Sequence, residues 1–172
     1  MIIIPSCKGM IILFILYLIM DIFIIFGAKY LYILVVLLAA IGLWFSKKEE
    51  RLNLVKLSIL ALPIAFVVDK IMNHLILDPR PFVVEHITPL VAHAPDNGFP
   101  SDHTILTMTL ALIIFVSHKK LGIVLIILSL LVGLSRVFAH IHHMEDILGS
   151  IIIAAFVVWF SFLFLKRMKL FS

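Results

Sequence analysis

Long apolar runs, cut at intervals by short polar or proline-bearing stretches, dominate the chain. Six stand out, at residues 10–26, 30–45, 52–77, 104–116, 121–135 and 147–165. Each is read as a helix crossing a bilayer, where about 20 apolar residues are needed per span. Several runs fall short of that length, so their helices must continue into polar flanks. Pro63 lies inside the third run, where it should kink the helix and needs neighbours to satisfy the freed carbonyl. The first run has only Lys8 ahead of its apolar core and no small-residue cleavage site behind it, which reads as a retained first span. No internal repeat is visible. The expected architecture is all-α: a polytopic membrane protein with six transmembrane helices in one bundle, forming a single domain over residues 1–172.

Composition supports this reading. The 172 residues are 63% hydrophobic and only 14% charged, with a mean hydropathy of +1.23. A soluble domain runs at about 45–50% apolar and about 25% charged, so a water-soluble fold is excluded, as are disorder and collagen-like repeats. Cys7 is the single cysteine, which rules out an internal disulfide framework. The net charge is +4, but no basic cluster is interleaved with aromatics as single-strand binding requires. The expected partner is the lipid bilayer, not nucleic acid.

The positions of the charges say more than their sum. Six spans put the N-terminus and the loops after spans two, four and six on one side. That side collects Lys8, Lys47, Lys48, Arg51, Lys56, Lys119, Lys120, Lys166, Arg167 and Lys169, ten of the fourteen basic residues. Lys29, Lys70, Arg80 and Arg136 remain on the other. Excess Lys and Arg mark the cytoplasmic side, so both termini are expected in the cytoplasm and the segments 78–101 and 136–146 outside. Seven of the eight histidines (His74, His86, His93, His103, His140, His142 and His143) belong to this outer face. Ionisable groups at membrane depth are costly and default to function.

Three segments carry the chemistry. In Asp78-Pro79-Arg80-Pro81-Phe82 the prolines stop the helix and present Arg80 on a stiff turn, suited to bidentate recognition of a phosphate; an ordinary juxtamembrane arginine touching lipid headgroups is the alternative. In Phe99-Pro100-Ser101-Asp102-His103-Thr104, Ser101 is a candidate N-cap and Asp102 sits in the first turn. The free amides there form an anion site beside His103, or the segment is a plain helix cap. In the third, Ser135-Arg136 is followed by His142 and Asp146. On a helix, His142 and Asp146 at i and i+4 share a face, and the carboxylate can hold one ring nitrogen protonated while the other acts as nucleophile or base. His140 and His143 have no such partner, although a metal cluster or surface histidine patch would also explain three crowded imidazoles.

Together these segments resemble the three signatures of the type 2 phosphatidic acid phosphatase superfamily: Lys-x6-Arg-Pro, Pro-Ser-x-His and Ser-Arg-x5-His-x3-Asp. The Pro-Ser-Asp-His form, the Pro-Arg-Pro-Phe turn and the trailing Asp-Ile-Leu-Gly look most like the bacitracin-resistance branch, the undecaprenyl-diphosphate phosphatases. The resemblance implies a lipid phosphatase of the bacterial plasma membrane, recycling the cell-wall lipid carrier, with its site facing outward. It implies His142 as nucleophile forming a phosphohistidine, Asp146 orienting its ring, and His103 as acid and then base. Arg80, Arg136 and Ser101 with the following amides would hold the phosphate, with Asp102 and Lys70 completing the substrate site. It implies no metal and no cofactor.

Two departures from the pattern stand out. The lysine of the first signature falls on Asn73, with Lys70 one helical turn earlier, and the residues flanking His142 are His140 and His143-Met144 where the family usually has Gly and Tyr-Pro. Two alternatives remain. One is a phosphatase of phosphatidylglycerol phosphate or phosphatidic acid. The other is a His-rich metal-binding membrane transporter using His140, His142, His143, His86 and His93 with the intramembrane Asp21 and Asp69. The second lacks an inverted repeat and leaves Arg80 and Arg136 idle.

Overall fold

In the computed structural model, residues 7–171 are described, with side chains from Gly9 onward; the side chain of Lys8, counted above among the basic residues, lies outside them. Seven helices follow in order: α1 (Cys7–Lys29), α2 (Leu31–Trp44), α3 (Lys48–Leu75), the single-turn α4 (Pro81–Val84), α5 (Asp102–Ser117), α6 (Lys119–Phe138) and α7 (Met144–Arg167). Among the described residues there is no strand, only an isolated bridge between Pro79 and Asn97. Three helices are long and apolar enough to cross a membrane: Gly9–Lys29 of α1, α6 and α7. α2 and α5 are shorter apolar helices, and α3 is long but opens on Lys48, Glu49, Glu50 and Arg51.

α3 runs as one helix through Pro63 and ends at Leu75, two residues before the expected limit. The helix limits correct two expectations. Arg136 lies not in the connecting segment but in the last turn of α6. α7 opens at Met144, so His142 lies before its N-cap, His143, and does not share a helix face with Asp146.

In lipid, helices gain little from hiding apolar surface from one another, so close packing and interhelical hydrogen bonds hold them together, favouring small and hydroxyl residues. The core around α5 follows this rule. Ala61, Ala111 and Ala154 are buried there, as are Thr104, Thr107, Ser129, Ser150 and Ser161. At Gly122 a Cβ would stand 2.4 Å from the Phe115 Cα, so only glycine lets α6 turn back so tightly on α5. Large apolar side chains point outward: Phe23 is 70% exposed, Ile59 70% and Ile152 68%. An apolar surface this extensive suits lipid rather than water.

The two ends of the bundle differ. At one, Ser46 meets the ring of His118 at 2.6 Å and Lys56 donates to the Leu170 carbonyl at 2.7 Å, drawing together the α2–α3 loop, the α5–α6 turn and the C-terminal residues. At the other end, Ala28, Val91, Ala139 and Ile141 form a small core under the connecting segments, and the candidate site is built on it.

Candidate active site

A residue before proline is driven toward extended backbone. Arg80, between Pro79 and Pro81, adopts φ −57°, ψ 150° and becomes the N-cap of α4. Asn97 fixes this turn: its side-chain oxygen accepts from the Asp78 amide at 2.7 Å, and its amide donates to the carbonyls of Asn73, Ile76 and Phe99. The Gly98 amide donates to the Asp78 carbonyl at 2.8 Å. A Cβ on Gly98 would press to 3.1 Å from both that carbonyl and Asp146 Oδ2, so the missing side chain lets the loop lie against the site.

Arg80, only 5% exposed, is fully engaged. Its Nε donates to Asp96 Oδ1 at 2.7 Å, Nη1 to the Ile141 carbonyl at 2.8 Å and Nη2 to the Asn97 carbonyl at 3.2 Å. Arg136, 4% exposed, donates through Nη1 to the Ala28 carbonyl at the end of α1 at 3.2 Å, and its Nε has no hydrogen-bond partner. Among the described residues it has no carboxylate ion-pair partner. A buried cation without a counter-ion is expensive, so the site is built to receive an anion.

The two guanidiniums converge on one atom. His142 Nε2 lies 3.3 Å from Arg80 Nη1 and 3.3 Å from Arg136 Nη2. The other ring nitrogen, Nδ1, donates to Asp146 Oδ2 at 3.1 Å, which fixes the tautomer and leaves the Nε2 lone pair available. Burial, then the charges of Arg136 and Arg80, push the His142 imidazole down to about 2, so it stays neutral at pH 7.

The remaining expected residues lie at the start of α5 and on α3. Ser101 is the N-cap of α5, yet its side chain makes no capping bond: its hydroxyl accepts from Thr104 at 3.1 Å and its amide donates to Ser150 at 2.8 Å. His103 stacks edge-on against Tyr32, ring centres 4.6 Å apart, within electrostatic reach of Arg136 and His142. Lys70 and Asp102 pair with each other, and the Asp102 charge reaches Arg136 and His142. Lys70 Nζ lies 2.9 Å from Asp69 and 3.5 Å from Asp102, at the polar end of a cleft of about 180 Å³ walled by Leu62, Ala65, Phe66, Ile105 and Leu106. Asn73 donates to the Phe99 carbonyl at 2.8 Å and so braces the loop.

His93 and Asp96 are the residues the motifs miss. His93 Nε2 is 3.5 Å from Arg136 Nη2, and its ring is 6.4 Å from that of His142. Despite the opposing effect of burial, the Arg80 hydrogen bond and charge hold the Asp96 carboxyl below its ordinary value. The signal is faint: Asp-Asn-Gly marks a turn but not which cation it holds. As for metal, His140, His142 and His143 do not gather as a ligand set among the described residues; the set that does is Asp78, His143 and Asp146.

Most of the chain is similar to known proteins. Residues 54–169 match the PAP2 superfamily model. The chain is 34% identical over 128 residues to the bacitracin transport permease protein BcrC of Bacillus licheniformis, covering 70% of this chain and 63% of that one. It is 30% identical over 128 residues to the undecaprenyl-diphosphatase BcrC of Bacillus subtilis (strain 168), covering 74% and 66%. The matches thus span just under two thirds of these two relatives. The crystal structure of LpxE from Aquifex aeolicus superimposes with a TM-score of 0.65 at 26% identity, over 83% of this chain and 85% of that one. An all-helical bundle with lipid-facing apolar surfaces, and a match across two thirds of its length, make this chain a member of the PAP2 superfamily.

Proposed function

We propose that the chain is an integral membrane lipid phosphatase that hydrolyses undecaprenyl diphosphate to undecaprenyl phosphate and inorganic phosphate. The observation that carries this reading is His142, with Nδ1 on Asp146 and Nε2 between two buried guanidiniums. An arriving phosphate takes over the Arg80 and Arg136 donors, freeing the Nε2 lone pair for in-line attack on the terminal phosphorus. Charge on the equatorial oxygens is met by both arginines and the amides following Ser101. Burial and then the Arg136 charge push the His103 imidazole down to about 4, so it takes up a proton only as the anionic diphosphate binds. The P–O bond to the lipid phosphate then breaks as N–P forms, and His103 protonates the departing oxygen. His103 then takes a proton from water, which cleaves the phosphohistidine and restores the imidazole.

The lipid enters sideways, its first units in the cleft between α3 and α5, with Lys70 toward the phosphate nearest the lipid. Six helices span the membrane as one domain, both termini are cytoplasmic and the site faces outward. The name of the Bacillus subtilis relative and the three signatures support the isoprenoid diphosphate. A glycerolipid phosphate is the second reading, favoured by the fact that the cleft's apolar walls carry nothing specific to an isoprenoid.

No step requires a metal. Purified protein assayed against undecaprenyl diphosphate, phosphatidylglycerol phosphate and phosphatidic acid in EDTA should release phosphate fastest from the first. Activity lost in EDTA and restored by zinc or manganese would overturn the mechanism; preference for a glycerolipid would overturn the substrate.

A further inference from the structure

Asp146 spends only one of its two oxygens on the relay. Oδ2 accepts from His142 Nδ1 at 3.1 Å and from the His143 amide at 2.9 Å. Oδ1 is completely buried and accepts from no amide, hydroxyl or cation; the Asp146 carboxyl instead shares a hydrogen bond with that of Asp78, which burial and this contact hold above its ordinary value. His143 Nδ1 is also buried without a hydrogen bond, and it lies 3.4 Å from Asp78 Oδ1. One ligand atom from each of Asp78, His143 and Asp146 falls within 4.8 Å of the other two. Two carboxyls and an imidazole nitrogen therefore face one small volume, with only one another as side-chain partners there.

We propose that Asp78, His143 and Asp146 form an inhibitory binding site for a divalent transition metal, best suited to zinc. Ligands about 2.0–2.2 Å from a tetrahedral zinc stand roughly 3.3–3.5 Å apart. The Asp78–His143 edge already has that spacing, and Asp146 has to close by no more than about 1.4 Å. A mixed imidazole and carboxylate set fits zinc or manganese better than calcium or magnesium, which take oxygen ligands. Binding displaces the proton that the Asp78 and Asp146 carboxyls share, and the two carboxylates then neutralise a divalent ion. Arg80, the nearby cation, is already paired with Asp96.

The effect on catalysis follows from the shared carboxylate. Metal on Oδ1 withdraws charge from the group that holds His142 Nδ1–H through Oδ2. The imidazole then becomes a poorer nucleophile, and kcat falls while KM changes little. This inhibitory role rests on the phosphohistidine reading; binding of the metal does not.

The test uses untagged, metal-stripped protein in detergent, titrated with zinc chloride by calorimetry, without substrate. Wild type should bind one zinc per chain. His143→Tyr, which keeps the backbone amide on Asp146, and Asp78→Asn should each weaken binding by more than ~100-fold, since even an outer-sphere partner is worth about 10–100-fold. In turnover assays zinc should lower wild-type kcat at least ~10-fold and leave His143→Tyr unaffected. No zinc bound by wild type, or equal binding by His143→Tyr, overturns the site. Equal inhibition of His143→Tyr overturns the inhibitory role. Zinc binding of the expected pattern in a chain that hydrolyses none of the lipids supports the site and counts against the phosphatase reading alone. If Asp78→Asn does not fold, His143→Tyr decides.

Discussion

His142 and Asp146 meet across a helix start rather than along a helix face: Nδ1 reaches Oδ2 at 3.1 Å from the bend preceding α7, and the same oxygen caps the His143 amide at 2.9 Å. One carboxylate thus fixes both the imidazole and the first turn of the helix. His142→Ala should lower kcat by at least ~10³-fold, since it removes the nucleophile. Asp146→Asn should cost a similar ~10³–10⁴-fold through a misplaced tautomer. Trapping with terminally labelled substrate should mark wild type on histidine and leave His142→Ala unlabelled. Retained turnover in His142→Ala would send the search for the nucleophile elsewhere.

The depressed imidazole makes stability depend on pH. His142 is held near 2 in the folded chain, against an ordinary value of about 6.5. Above about 6.5 it is neutral in both states and contributes no pH dependence. Below that, the unfolded chain takes up a proton that the folded chain refuses, so stability falls as pH drops from 6.5 toward 2. The slope from this one group approaches about 1.4 kcal/mol per pH unit. Thermal unfolding of wild type and His142→Gln at pH 7.5 and 5.5 should show the larger acid loss in wild type. Parallel behaviour would mean that the ring is not held neutral.

How much of this could be read from the chain depends on the reach of each contact. Arg80, His142 and Asp146 are legible because their placement is local: prolines flanking an arginine, and a carboxylate four residues after a histidine. Asp96 and His93 find their arginines across 16 and 43 residues, a pairing that only the folded segment creates. Lys70 is a one-turn stand-in for the missing lysine by spacing, but Asp69 and Asp102 draw it to the cleft. The helix limits near the site escape hydropathy altogether. α6 carries Arg136 inside its last turn, and α7 starts three residues before its apolar run, because buried polar contacts extend both helices.

His140 sits at φ 59°, in the left-handed region, at the position where the superfamily pattern has glycine. A side chain there costs about 1–2 kcal/mol, offset in part by roughly 0.5–1 kcal/mol for the added freedom of an unfolded glycine. His140→Gly should therefore gain about 0.5–1 kcal/mol while keeping its turnover. His140→Val, β-branched at positive φ, should lose about 1–2 kcal/mol. Unfolding midpoints in detergent separate the two. A glycine variant less stable than wild type would show that the His140 side chain itself holds the turn.

The proposed outward orientation of the site can be tested from the two ends of the bundle. Lys47, Lys48, Arg51, Lys119, Lys120, Lys166 and Arg167 flank one end and the candidate site occupies the other, the asymmetry from which a cytoplasmic basic end is proposed. Asp96 is a poor place for a reporter, since it holds Arg80 Nε at 2.7 Å. Thr88 is exposed in the same segment and close to cysteine in size. In a Cys7→Ser background, Thr88→Cys should react with a membrane-impermeant maleimide in intact cells. Lys48→Cys, exposed at the opposite end, should react only after lysis. The reverse pattern would invert the topology and move the substrate pool to the inner leaflet. Labelling of both in intact cells would mean that no span separates residues 48 and 88, which bracket α3. That helix must cross for the two to differ, so the pair also tests whether α3 spans the membrane despite its charged first turn.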